Sequence, residues 1–259
     1  MSTRPTAGER AVGDDVRILA LRGLPELGTG DDLGLLLHDA AAAIGGLREA
    51  DVVVVAQKAV SKVEGRVVAL DDAEPSARAV ELAGPGGDPR HVEWILRESR
   101  AVVRSRPPLV IAETKHGFVC ASAGVDASNA RGPGTLVLLP LDPDASAGRL
   151  RERLRGLSGV DVGVVVSDSF GRAWRQGTTD VALGVAGITP LLDLRGAVDG
   201  AGHELRSTQI AVADELAAAA ELVMGKTGGI PAAIVRGVDV RGPGSARDLV
   251  MPIERDLFR

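Results

Sequence analysis

The chain has 259 residues, 45% of them hydrophobic, with 33 glycines, two tryptophans, three phenylalanines and no tyrosine. That is enough apolar matter for one large domain or two small lobes, with a core of Val, Leu, Ile and Ala. The formal charge is −5, from 30 Lys and Arg against 35 Asp and Glu, so no overall basic field attracts nucleic acid and few rings are present to stack on bases. Any anion must be held locally.

Cys120 is the single cysteine, which excludes an intrachain disulfide and a Cys-rich zinc site. Its setting, GFVCASAG, reads as a small buried residue in a strand. The opening MSTRPTAGERAVGDD mixes charges and has no apolar core, unlike a signal peptide. No apolar run approaches the roughly 18 residues of a membrane span. A soluble, cytoplasmic protein that touches neither nucleic acid nor membrane is expected.

In chain order, residues 1–14 read as a flexible tail, and VRILAL (16–21) as a strand. A loop of turn residues covers 23–32, where Thr29 or Asp31 is placed to cap a helix through Ala43. Residues 51–70 predict strand, short polar loop and strand. A helical stretch over 73–99 is broken by GPGGDP (84–89), and short strands follow near 101–105, 109–112 and 117–121. A loop over 123–134 precedes a strand at 135–139. Residues 142–157 form a helix with Asp at its start and Arg toward its end, in keeping with the macrodipole.

VGVVV (162–166) is a buried strand that gives way at Ser167 to an acid, hydroxyls, arginines and glycines. A helix over 209–224 is the strongest of the chain; the loop GKTGGIP (225–231) and the strand AAIVRG follow. Helices and strands mix without regular βαβ alternation, which favours a mixed-sheet α/β or α+β architecture over a Rossmann sheet. No interior linker separates two lobes, so any two lobes would be interwoven across 15–259.

GKTGG (225–229) is not a P-loop. The required earlier glycine is Ala220, and a helix precedes the segment where a strand should. Gly225, Gly228 and Gly229 still let backbone N–H groups approach a phosphate, although a helix-ending turn explains them almost as well. His38, His91, His116 and His203 share no metal-ligand spacing, and no G-x-S-x-G elbow supports serine hydrolase chemistry.

Acids at strand ends beside small polar residues remain. GVDASN places Asp126 three residues before Asn129, and VVVSDSFGR places Asp168 beside Ser169. Magnesium and manganese prefer oxygen ligands, and magnesium often takes one or two carboxylates with waters and phosphate oxygens. A turn or cap is the plainer reading of either aspartate. Lys58 and Lys62, just past another strand, suit a phosphate or a solvated loop equally well. The residues by themselves reach a candidate metal–phosphate site in a mixed α/β enzyme.

Six segments in register carry a resemblance: GLPEL (23–27), ADVVVVAQKAVSKVEG (50–65), AGVDASN (123–129), SDSFGRAWRQGTTDVALG (167–184), AVADELAAAAELVMGK (211–226) and PAAIVRG (231–237). Together they resemble the coenzyme F420-0:L-glutamate ligases, from residue 16 onward. The likeness points to the amino-terminal half of the actinobacterial two-domain enzymes, and no nitroreductase-like domain is expected after residue 259.

The resemblance implies a two-lobed mixed α/β fold, a homodimer, and GTP-dependent joining of glutamate to the lactyl carboxylate of F420-0. An acyl phosphate would be the intermediate, and further γ-linked glutamates would follow. It implies Mg2+ or Mn2+, with two ions per site and K+ as further expectations. By matching position, GTP contacts fall on Leu24, Pro25, Glu26, Leu27, Lys62 and Asn129. Metal ligands fall on Asp126, Asp168 and Ser169.

Two departures stand out. Gln57 replaces a GTP-contacting serine, and Lys226 replaces an acidic ligand that archaeal members offer to a second metal. The two-domain relatives share that lysine. Arg172 and Arg175 are expected, from charge and placement, to meet anionic substrate groups. Two other readings stay open: a ligase for another carboxylate, such as a dehydro form of F420-0, and a non-catalytic deazaflavin or nucleotide binder.

Overall fold

The structure, a computed structural model, describes residues 11–128, 130 and 132–258, with side chains from residue 15 onward. Its first half contains β1 (Ala11–Leu21), α1 (Leu33–Ala42), β2 (Val52–Ala56), α2 (Gln57–Val63), β3 (Val67–Ala69), α3 (Ala77–Ala83) and α4 (Pro89–Glu98). Then come β4 (Ser99–Arg106), β5 (Leu109–Thr114), β6 (Val119–Ala121), β7 (Thr135–Val137) and α5 (Pro143–Ser158). The last part holds β8 (Gly163–Arg172), β9 (Arg175–Ala186), β10 (Leu192–Asp193), β11 (Gln209–Ile210), α6 (Val212–Met224) and β12 (Ala232–Asp239).

Five strands make the central sheet, in the order β1-β12-β2-β8-β9. β2 and β8 run parallel, and the other neighbours are antiparallel. The runs VVVV in β2 and VVV in β8 are apolar at successive positions, as a strand covered on both faces requires. Alternate residues point to opposite faces. Val53, Val55, Val164, Val166 and Ile234 pack with Leu33 and Leu37 of α1 and Leu154 of α5. Val52, Val54, Val165, Ala233 and Val235 pack with Ala213, Leu216 and Ala220 of α6. A third cluster joins Leu82, Val92, Ile95, Val110 and Leu136 from α3, α4, β5 and β7. The fold is thus mixed α/β, with smaller sheets β4-β5-β6, β3-β7 and β10-β11.

Local chemistry sets the helix ends. Asp32 caps α1 by accepting from the Leu35 N–H at 3.0 Å, one residue past the expected Asp31. Asp142 does the same for α5 through the Ala145 N–H at 3.0 Å. Gly159 ends α5 at φ +75°, a conformation open to glycine.

Four sequence expectations need correction. Residues 11–14, expected in the tail, belong to β1, where Ala11 pairs with Asp239 and Val12 with Val238; residues 1–10 lie outside the described residues. The expected polar loop after β2 is α2. The strand at 99 starts earlier and runs longer than expected, over Ser99–Arg106. β8 does not end at Val166 but continues to Arg172, because β9 pairs with its polar half as well as its apolar half. A register shift between Val166 and Ser167 leaves Leu183 of β9 without an opposite residue at the change from apolar to polar.

Gly184 lies where α5 begins against β9. A Cβ there would sit 2.2 Å from the carbonyl oxygen of Pro143, and backbone cannot yield as a flexible side chain does. Gly184→Ala should therefore cost about 2 kcal/mol, within the range for overpacked cores. Urea unfolding would show this as a lower midpoint at unchanged slope.

Candidate active site

The topology brings four chain segments to one end of the central sheet. β1 ends at Leu21 beside Ala232, and β2 ends at Ala56 beside Ser167 of β8. β12 begins at the same end, with Ala232 opposite Val55. The segments leaving or entering there are 23–27, α2, 167–169 and 225–231. They surround a cavity of about 740 Å³, within the ordinary range for a small-molecule site. Ligand crevices commonly form outside the carboxyl ends of parallel strands.

Of the expected site residues, Leu24, Pro25, Glu26, Leu27, Lys62, Asp168, Ser169, Gly225, Lys226 and Gly229 line this cavity, and Asp126 does not. Lys62 donates to Glu26 at 2.7 Å, tying α2 to the 23–27 segment. Asp126 reaches the same end through Lys58, a cavity residue whose ammonium donates to Asp126 Oδ2 at 2.5 Å and to Ser128 Oγ at 2.6 Å. The Ser128 N–H donates to the other Asp126 oxygen at 2.7 Å. Burial alone would raise the Asp126 carboxyl, but these hydrogen bonds hold it below its ordinary value.

Asp168 is in the opposite condition. Burial pushes its carboxyl up to about 6, against the pull of the Ser169 N–H and the charges of Lys58 and Lys226. Among the described residues, no side chain donates a hydrogen bond to it. Beside it runs a chain of polar contacts: Lys226 donates to Ser169 Oγ, and Ser169 donates to Asp180. Ser167, two residues back on the same strand, also donates to Asp180, at 3.1 Å. Asp180 is buried and lines the cavity.

Several expected residues stand elsewhere. Arg172 and Arg175 are exposed and pair with each other across the end of the β8–β9 hairpin. The physical reason is that β8 continues, which carries Arg172 roughly 13 Å along the strand beyond Asp168 at about 3.3 Å per residue. Gln57 is buried and does not line the cavity. Its Oε1 accepts from Ser61 at 2.9 Å, and its Nε2 has no partner among the described residues. Gly228 is outside the lining, and Asn129 lies outside the described residues.

Asp180 was missing from the expected residues, and Lys58, expected at a phosphate or in a solvated loop, was not expected beside Asp126. Asp180 was visible within the quoted segment 167–184, but its role depends on register: it pairs with Ser169 across the hairpin.

Cys120 lies behind this cluster. Burial, and then the negative charge of Asp168, pushes its thiol up to about 12. A thiolate is the reactive form, so Cys120 should resist a disulfide reagent at pH 8 and react only after denaturant is added. Prompt labelling of native protein at pH 8 would contradict this placement.

Among the described residues, no three His, Cys, Asp or Glu side chains form a metal cage by themselves. Asp126, Asp168 and Ser169 are nevertheless all oxygen donors. Two carboxylates and a hydroxyl fit a hard divalent ion that completes its shell with water and phosphate oxygens. Among the described residues, no helix is long and apolar enough to cross a membrane.

Fold and cavity together define a mixed α/β protein with a charged small-molecule site at the end of its main sheet. Residues 23–237 match the family described as F420-0:Gamma-glutamyl ligase. The coenzyme F420:L-glutamate ligase of Methanopyrus kandleri is 48% identical over 237 residues, 89% of this chain and 92% of that protein. The enzyme of the same name from Methanothermobacter thermautotrophicus is 42% identical, over 94% of this chain and 99% of its own length. That of Archaeoglobus fulgidus is also 42% identical, over 94% and 96%. The chain belongs to the F420-0:γ-glutamyl ligase family, and it is a ligase.

Asp180 orients both hydroxyls of the site, so Asp180→Asn should lower ligase turnover by about tenfold to a hundredfold, the scale of one charge-assisted hydrogen bond. A thermal melt close to that of the unchanged protein would separate this loss from unfolding. Undiminished turnover would remove Asp180 from the machinery.

Proposed function

We propose that this ligase joins L-glutamate to F420-0 with GTP as the driving co-substrate, and then extends the product with γ-linked glutamates. The observation that carries this reading is the meeting of Asp168 and Ser169 with three lysines at one cavity, one of which, Lys58, also holds Asp126 just outside its lining. The acids and hydroxyl suit a divalent cation, and the lysines suit a polyphosphate.

A carboxylate is anionic and has no leaving group that an amine can displace. In the proposed sequence, its oxygen attacks the γ-phosphorus of GTP, the bond to the β-phosphate oxygen breaks, and GDP departs. The amine of glutamate then attacks the acyl carbon, forming the amide, releasing phosphate and giving up a proton. Bound Mg2+ or Mn2+ would neutralise charge on the phosphates. Phosphoryl transfer otherwise asks mainly for positioning and charge neutralisation.

Lys62 and Lys226 line the cavity and would hold phosphate oxygens, and Lys226 also donates to the Ser169 hydroxyl. Gly225 and Gly229 adopt positive φ, at +57° and +64°, in the turn after α6 that lines the cavity. Leu24 and Leu27 offer apolar surface. Arg172 and Arg175, far along the hairpin, are assigned no part in phosphoryl transfer. The same resemblance supports a two-lobed homodimer and leaves K+ and a second divalent ion as further proposals.

Mass spectrometry after mixing protein, GTP, Mn2+, glutamate and F420-0 tests the reading. A product heavier by one glutamyl residue, with GDP formed in equal amount, is expected. Asp168→Asn should lower this turnover by several orders of magnitude, as loss of a metal-binding charge at a phosphoryl-transfer site implies, and should leave the fold intact. Turnover with a different carboxylate alone would reassign the acceptor, and turnover without nucleotide would end the proposal.

A further inference from the structure

Asp126 is the carboxylate expected to hold a divalent ion, yet three donors already engage it. Lys58 Nζ and Ser128 Oγ both meet Oδ2, at 2.5 and 2.9 Å, and the Ser128 N–H meets Oδ1 at 2.7 Å. A carboxylate offers about four acceptor sites. A magnesium or manganese ion ligated by Oδ2 would come within a few ångström of the ammonium, and two cations at that distance repel strongly.

Lys58 differs from the other lysines of the cavity. The Lys62 ammonium is held by Glu26, and that of Lys226 by Ser169. Lys58 alone is bonded to an expected metal carboxylate while its charge also acts on the second one, Asp168. Its backbone is fixed in α2, but its four-carbon stem can swing the charge within the cavity that it lines.

We propose that Lys58 competes with the divalent cation for Asp126, and that a polyphosphate relieves the competition by drawing the ammonium away. The inference rests on the metal part of the proposed function. Metal and nucleotide then enter together: the ion takes the carboxylate that Lys58 releases, and Lys58 takes a phosphate oxygen. Without polyphosphate, Lys58 keeps the carboxylates from gathering divalent ions. The coupling is reciprocal, so each ligand strengthens the other by the same factor.

The free-ion electron paramagnetic resonance signal of Mn2+ measures the effect directly, without turnover. Titrations would compare the unchanged protein with Lys58→Met and Lys58→Gln, each with and without a non-hydrolysable GTP analogue. The two variants guard against a single misfolded one, and a cooperative melt checks each. Without nucleotide, both variants should bind Mn2+ at least about tenfold more tightly than the unchanged protein. The gain in Mn2+ affinity conferred by the analogue should shrink by a similar factor.

Equal or weaker Mn2+ binding by the variants without nucleotide overturns the proposal, and so does an unchanged gain from the analogue. If the unchanged protein binds Mn2+ with the analogue while either of those results is found, the metal site stands and only the role of Lys58 falls. If no protein takes up Mn2+ under either condition, the metal reading and the Lys58 proposal fall together.

Discussion

The parallel pairing of β2 with β8 is the constraint on which the site depends. It sets Ala56 opposite Ser167, so that both strands deliver their polar continuations at the same edge of the sheet. Lys58 and Lys62 come from one continuation, and Asp168 and Ser169 from the other. An antiparallel pair would have sent these two groups to opposite ends. The pairing is specified by apolar runs that need cover on both faces, and α1 and α5 on one side and α6 on the other provide that cover.

Around this edge the charges are balanced unequally. Asp126 is well supplied with donors and is held below its ordinary protonation range, whereas Asp168 is half-buried, poorly supplied and pushed upward. Asp180 satisfies two hydroxyls instead of a lysine. An environment of this kind suits a ligand that brings its own cation and its own anion, because either charge alone would leave one part of the site uncompensated. The exchange of partners at Lys58 would let a single site meet both charges in one event.

Much of the element order was legible from pattern. The break at GPGGDP, the long helices before β8 and before β12, and the apolar strands all follow from turn residues and periodicity. The failures have physical causes. α2 is a seven-residue helix with a polar sequence, too short for its periodicity to stand out. The second half of β8 is mostly polar and becomes exposed at Gly171 and Arg172, and its strand conformation comes from pairing with β9 rather than from its own residues. Arg172 and Arg175 looked like neighbours of Asp168 because sequence distance hides how far an extended strand travels.

By itself, the order of residues determined that the protein has a Val- and Ala-rich α/β core, one thiol and no basic field, and that acids and lysines follow directly on its apolar runs. These are properties of composition and local periodicity. Which of those groups meet was decided by tertiary structure alone. Asp126 and Lys58 are 68 positions apart and Lys226 and Ser169 are 57 apart, and contact over such spans depends on sheet order and register. That is also why Asp180 could not be singled out in advance: only its pairing with Ser169 gives that carboxylate a place in the site.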